Sequence, residues 1–300
     1  MNNSLKDYIH KKKYRLLRQL EPGHTGCQVL LIKTLHDEKI IIKYAQNTEG
    51  KREIRNNIRG YEAVKNAGAD QLLPCDYKFA SLGNLDLLEL PYLGQNISTT
   101  LKKGGQILWE DFWRLLEITI NPTLKSENKN ADLMFDDYLA HLHAAFQTID
   151  PDQYIKSNKL MLAQVHKKMS SSVKKWSLML LDFTPDNIFF DGTNIKYIDP
   201  WDQKTYTGSF LPSIGQFVKL SRDIYKLPTT KGSEFIEGCS SIISNFANNM
   251  GLSQAEVEAQ IKLGEALQLA LSSMVRLEKD PETASEYYNE CINTLKEIIK

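Results

Sequence analysis

SLMLLDFTPDNIFFDGTNIKYIDPWD, Ser177 to Asp202, is the stretch on which the reading of this chain turns. The apolar run Leu178 to Leu181 predicts a strand that delivers Asp182 to its end, and Pro185 and Asp186 then force a tight loop closing at Asn187. Ile188 to Phe190 form a second short apolar run, Asp191-Gly192 is a hairpin turn signal, and Ile195, Tyr197 and Ile198 lead to Asp199. Two carboxylates and an amide therefore stand at strand ends. Hard oxygen donors gathered in this way suit magnesium, which keeps several waters and bridges nucleotide phosphates. One carboxylate is left over to orient a substrate hydroxyl. The plainer alternative is a hairpin with solvated turn formers, since an Asp followed five residues later by Asn arises by chance about once in a chain this long. The argument for function is the set of three with strands between them.

These residues carry a resemblance. LLDFTPDN resembles the HGDxxxxN catalytic loop of the aminoglycoside phosphotransferase and choline kinase group, relatives of the eukaryotic protein kinases, and YIDPWD resembles that group's second metal-binding acid motif. The resemblance implies a catalytic role for Asp182 and metal-binding roles for Asn187 and Asp199. It also implies an α/β (α+β) chain with the two-lobed protein-kinase-like fold: a small β-rich N-lobe and a large, mainly helical C-lobe. One departure concerns the scaffold of the loop: the group's His falls at Leu180 and its Gly at Leu181.

Composition bounds the rest. A chain of 300 residues with 42% hydrophobic content can build two lobes around a cleft. Its formal net charge is zero, so no global field recruits nucleic acid or an anionic membrane, and any phosphate site must be local. Cys27, Cys75, Cys239 and Cys291 are scattered without metal-ligand spacing and read as structural thiols. The N-terminus lacks an apolar segment and no run reaches membrane-spanning length, so a cytoplasmic protein is expected.

Upstream, residues 1 to 20 read as a helix or strand lead-in, and Cys27 to Lys43 as a hairpin turning at His36 to Glu38. Before the hairpin, Gly23 and Gly26 of EPGHTGC offer a loop in which backbone can approach a phosphate, and an ordinary β-turn is equally compatible. IIIKYA resembles the VAIK strand, which implies that Lys43 holds the nucleotide phosphates; a lysine guarding an edge strand is the competing reading. A helix from about Glu49 to Ala67 stops at Gly68. Within it GYEAV resembles the group's REaxxL helix, which selects Glu62 as the partner of Lys43, with Glu53 as competitor. Leu72 and Leu73, Tyr77 to Ala80 and Leu85 to Gly94 read as strands. The last resembles the linker that reads adenine; Pro91 has no N–H, leaving Tyr92 first and Leu90 second as donors. The lobes divide there, into 1–92 for nucleotide binding and 93–300 for catalysis and acceptor binding.

Beyond the linker the chain is expected to be helical. LAHLHAAF resembles an element that precedes the catalytic loop in the group, and His143 within it reads as a satisfied helix histidine rather than a base. Asp223 is the candidate for a structural Asp after the metal acid, and Glu234 and Glu237 for contacts to a cationic acceptor. Together these readings imply a magnesium-dependent transfer of the γ-phosphate of ATP to a hydroxyl of a small metabolite or antibiotic. Two alternatives stay open. A pseudokinase scaffold is favoured by Leu180, and a protein kinase is disfavoured because no APE-type segment follows Asp199.

Overall fold

A computed structural model describes residues 3–22, 26–125, 135–170, 175–200 and 206–300. The first half is built on one antiparallel sheet in the order β1-β2-β3-β5-β4, with β1 Arg15–Gln19, β2 Gln28–Lys33, β3 Lys39–Ala45, β4 Lys78–Leu82 and β5 Leu85–Pro91. The three isoleucines of β3 are β-branched and favour the pleat. Alternation then assigns the faces. Ile42, Tyr44, Leu85 and Leu87 point outward, where helix α1 (Asn3–Lys11) lays Leu5 and Ile9 on them to make a small second core. The lead-in is thus a helix followed by a strand.

Lys43, Leu88 and Leu90 point the other way, toward helix α2 (Thr48–Asn66). The side chain of Asn47 caps α2 by accepting from Gly50 N–H at 3.1 Å, and Gly68, at φ +87°, ends the segment. Ile54, Tyr61 and Val64 of α2 are fully buried and join the main core. Leu72 and Leu73, expected as a strand, lie instead at a 3₁₀ turn over Asp70–Leu72: both are buried, and Pro74 directly after them cannot extend a ladder.

The second half is helical: α3 Ile97–Lys102, α4 Trp109–Ile120, α5 Asp136–Ile149, α6 Pro151–Gln153, α7 Lys159–Ser170, α8 Leu211–Lys219, α9 Ser233–Met250, α10 Gln254–Arg276 and α11 Pro281–Ile299. Short π-helical turns over Tyr154–Asn158 and Leu220–Ile224 lead into α7 and out of α8. A capping box between Ser253 and Glu256 starts α10. α8 and α10 cross backbone to backbone, because a Cβ at Gly215 would collide with the Ile261 carbonyl and one at Gly264 with that of Pro212.

Between α7 and α8 run the short strands β6 Ser177–Leu178, β7 Ile188–Phe190, β8 Ile195–Tyr197 and β9 Thr207–Gly208. β7 and β8 pair as a hairpin, and β6 pairs with β9. The deciding stretch is anchored from below by aromatic rings: Phe183 on Phe210 at 5.1 Å and Phe190 on Phe112 at 5.6 Å between centroids, both edge to face. No helix among the described residues is long and apolar enough to cross a membrane.

Candidate active site

A cavity of about 560 Å³ opens beneath the sheet. Its roof is Val29, Ile41 and Lys43, its rear edge the linker from Leu90 to Gly94, its side wall α2, and its floor Asp182, Asn187, Phe189 and Asp199. Residues far apart in sequence, 43, 182, 187 and 199, thus face one space.

Lys43 is 5% exposed and triply braced. Its Nζ forms an ion pair with Glu53, donates to Asp199 Oδ1 at 2.7 Å and donates to Asn57 Oδ1 at 3.2 Å. Burial alone would lower the ammonium pKa, but the Asp199 and Glu53 carboxylates more than offset it and hold the group charged above its ordinary value. The partner on α2 is therefore Glu53, and the expectation of Glu62 for that contact is corrected. Nine residues separate the two, about two and a half helical turns, which sets Glu62 on the opposite, exposed side of α2. RE in REIRNN, Arg52-Glu53, was the sequence signal for the right residue. Asn57, one turn beyond Glu53, was not singled out by the sequence.

Asp182 is half-buried at the floor. Asn187 Nδ2 donates to its Oδ2 at 2.6 Å and to its backbone carbonyl at 3.3 Å, so the loop closes on itself and the Asn187 Oδ1 is turned elsewhere. Desolvation in the cleft outweighs the Asn187 bond and, with Asp199 and Asp186 nearby, pushes the Asp182 carboxyl up to about 7. Asp199 holds a left-handed backbone at φ +52°, a conformation an L-residue keeps only where its surroundings enforce it. The Ile198 N–H donating to the Asn187 carbonyl at 3.0 Å ties the two loops together.

Leu180, in place of a histidine, is fully buried, and its backbone is fixed from α8. Ser213 Oγ donates to the Leu180 carbonyl at 2.7 Å and accepts from the Leu180 N–H at 3.2 Å, while the Tyr138 hydroxyl lies 3.2 Å from the same Oγ. Asp223, the sequence candidate for a structural acid, is exposed and pairs instead with Lys219 at 3.0 Å. From the other side, Asn96 Nδ2 donates to the Asp186 carbonyl at 2.7 Å, Ser98 N–H to the Pro185 carbonyl at 3.0 Å, and the Tyr225 hydroxyl to Asp186 Oδ2 at 2.5 Å.

At the linker the donors expected from sequence are already engaged. Tyr92 N–H donates to the Lys39 carbonyl at 3.1 Å, and Leu90, paired with Ile41, has its N–H turned the same way by the two-residue period. By the same alternation the carbonyl of Pro91 faces away from β3, and both Pro91 and Leu93 line the cavity. Gly23 lies outside the described residues. Gly26, at φ +81°, packs beside Asn47 at the start of α2 and is not among the residues lining the cavity, which Leu20 to Pro22 line instead.

No protein-family profile matches the chain, and no curated protein sequence matches it. Solved structures do. A Thermobifida fusca protein assigned as a fructosamine-3-kinase superposes over 100% of this chain and 99% of its own at TM-score 0.60 and 11% identity. The ADP-bound aminoglycoside phosphotransferase APH(2'')-Ib covers 99% of each chain at 0.56 and 11%. The ethanolamine kinase of Plasmodium vivax covers 97% of this chain and 84% of its own at 0.54 and 12%. The fold is protein-kinase-like.

Within this kinase-like fold other residues weighed in the sequence lie outside the cavity, His143 as the satisfied helix histidine expected from sequence. His143 Nδ1 shares a hydrogen bond with the Tyr154 hydroxyl at 3.0 Å, and burial lowers its pKa. Glu234 and Glu237 are exposed on α9 and do not line the cavity. Asn57, Ser213 and Leu93 were missed because each acts through geometry across elements, which no local spacing encodes.

Proposed function

We propose that this chain is a phosphotransferase that moves the γ-phosphate of ATP to a hydroxyl of a small molecule, a metabolite or an antibiotic, with magnesium. The observation that carries the reading is the convergence of Lys43, Asp182, Asn187 and Asp199 on one cavity behind the linker. Phosphoryl transfer asks the protein mainly to position groups and to neutralise charge. In this reading the Pro91 carbonyl accepts from the adenine amino group and the Leu93 N–H donates to the ring. Lys43, fixed by Glu53, steadies the phosphates. Asp182, with its carboxyl near 7, accepts or orients the proton of the acceptor hydroxyl.

The donor set suits magnesium. Asn187 Oδ1 makes no bond within the described protein, and Asp199 presents its second oxygen beyond the one that meets Lys43. Magnesium bound there would draw the rest of its ligands from water and substrate phosphates. Among the described residues, five carboxyl groups line the cavity, Glu21, Glu49, Glu53, Asp182 and Asp199, against the cations Lys43 and Arg52. A polyphosphate entering so acidic a space needs a divalent cation with it. When bound, magnesium would supply charge neutralisation on the phosphates from Asn187 and Asp199.

A non-catalytic scaffold finds support in Leu180. Its backbone, however, is held at both N–H and carbonyl by Ser213, so the loop keeps its support without a histidine. The deciding experiment screens hydroxylated metabolites and antibiotics for acceptor-dependent ATP consumption, beside Asp182→Asn. Turnover with an acceptor that the variant lacks supports transfer. Magnesium–ATP binding with no turnover across the library favours the scaffold.

A further inference from the structure

Helix α2 does more at this site than present Glu53. Asn57 is 2% exposed, and its amide is used at both ends: Oδ1 accepts from Lys43 Nζ at 3.2 Å, and Nδ2 donates to the carbonyl of Pro200 at 3.2 Å. One amide thus joins strand β3 to the turn that carries Asp199. A buried amide keeps such a place only if both ends are satisfied, since an orphaned polar group costs more than the bond returns.

One turn further along α2, Gly60 continues the contact. A Cβ there would overlap the Pro200 ring carbons and come within 2.7 Å of the Tyr206 hydroxyl, so the helix backbone lies directly on the turn. Glu53, Asn57 and Gly60 stand at i, i+4 and i+7, one face of the helix. That face meets Lys43 and the residue following the left-handed Asp199, the one non-glycine residue with positive φ among the described residues lining the cavity. Strain of this kind persists where the surroundings over-determine it, and the Asn57–Pro200 bond with the Gly60 contact adds to the Lys43–Asp199 ion pair and the Ile198–Asn187 bond in enforcing it.

We infer that Asn57 is a positioning residue that couples Lys43 to the Asp199–Pro200 turn, with Gly60 as its steric counterpart, so that α2 sets both the lysine and the metal acid. The meaning of the coupling rests on the phosphotransfer reading; its geometry does not.

The test uses the full chain with Asn57→Ala and Gly60→Ala. Two measurements are made: amide hydrogen exchange at Tyr197, Ile198 and Asp199 without ligand, and ATP affinity in EDTA and in magnesium. Exchange at the three amides should rise at least tenfold in both variants, while exchange in the β7 residues Ile188 to Phe190 stays within about twofold. In Gly60→Ala the affinity in EDTA should stay within about twofold, because Lys43 keeps Asn57, and the gain on adding magnesium should shrink at least tenfold. Asn57→Ala should lose affinity in both conditions. Unchanged exchange at Asp199 in both variants overturns the coupling. So does an undiminished magnesium gain in Gly60→Ala. If Asn57→Ala fails to fold, Gly60→Ala alone decides. A wild-type chain with no magnesium-dependent ATP binding would remove the phosphotransfer reading, and the exchange measurement would still settle whether α2 holds the turn.

Discussion

The floor and the roof of the cavity are made in opposite ways. On the floor, Asp182, Asn187 and Asp199 fall within eighteen residues of sequence, on loops that fold back through two short strands. In the roof and side wall, Lys43, Glu53 and Asn57 come from a strand and a helix, and each matters through a partner on another element. The floor is a local motif, so substitutions there should remove one function at a time. The roof is a set of cross-element contacts, and substitutions there should show coupling.

The hardest test of that contrast is on the floor. On the phosphotransfer reading, Asp199→Ala should abolish the metal-dependent part of nucleotide affinity and cut transfer by about a thousandfold or more while the fold persists, because the buried Lys43 keeps Glu53 and Asn57 as partners. Titration calorimetry with ATP, with and without magnesium, checks it; an unchanged magnesium dependence would take Asp199 out of the metal site. Next, Asp182→Asn should keep magnesium and ATP bound but lower transfer by about a hundredfold to ten-thousandfold. Single-turnover phosphorylation of an acceptor at saturating ATP reads this, and a wild-type rate would reduce Asp182 to a turn residue.

Roof substitutions should have smaller effects that do not add. Glu53→Gln and Lys43→Ala should couple by about 0.5–3 kcal/mol in a double-mutant cycle on ATP affinity. Glu62→Gln in the same cycle should be additive, and coupling at Glu62 would reverse the assignment made from helix phase. Smaller still, Leu93→Pro removes one N–H from the cleft and should weaken ATP binding by roughly five- to tenfold, the worth of one net hydrogen bond. An effect confined to ATP and absent for inorganic triphosphate would locate it at the base.

The smallest effect is on stability. The Asp182 carboxyl sits at about 7 against an ordinary 3.8, so the native apo protein holds this proton more tightly than the unfolded chain. Its contribution is fully present below pH 4 and is lost as pH rises to 7. Three pKa units represent about 4 kcal/mol, and water reaching the carboxyl through the cleft cuts that to about 1 kcal/mol. Urea unfolding without metal should therefore show a fall in stability between pH 4 and pH 7 that Asp182→Asn lessens. An equal fall in the variant would assign the pH dependence to other groups.

The same contrast explains what could be read without coordinates. Alternating apolar residues around Asp182 and Asp199 announce a hairpin, and three polar residues on its loops announce a site, because everything needed lies within one hairpin's reach. The sheet and the helices that follow were equally plain from isoleucine runs and helical periodicity. Glu53 against Glu62 could not be settled that way, since either lies on a helix and only the phase of α2 relative to β3 chooses. Tyr92 against Leu93 depended on which edge of β5 pairs with β3, a fact of register. Ser213 had no signal at all: a serine in an apolar helix becomes informative only when the loop it holds is seen above it.

Helix α1 carries a practical lesson for handling the protein. Leu5 and Ile9 cover the far face of the sheet, and the Tyr8 hydroxyl donates to Glu89 Oε1 at 2.9 Å on the strand that runs into the linker. A chain trimmed to begin at the first strand would bare Leu30, Ile32, Ile42, Leu85 and Leu87 together, a flat apolar surface flanked by the open edges of β1 and β4. Such a surface invites sheet-to-sheet association and insoluble expression, so any shortened version should keep its first eleven residues.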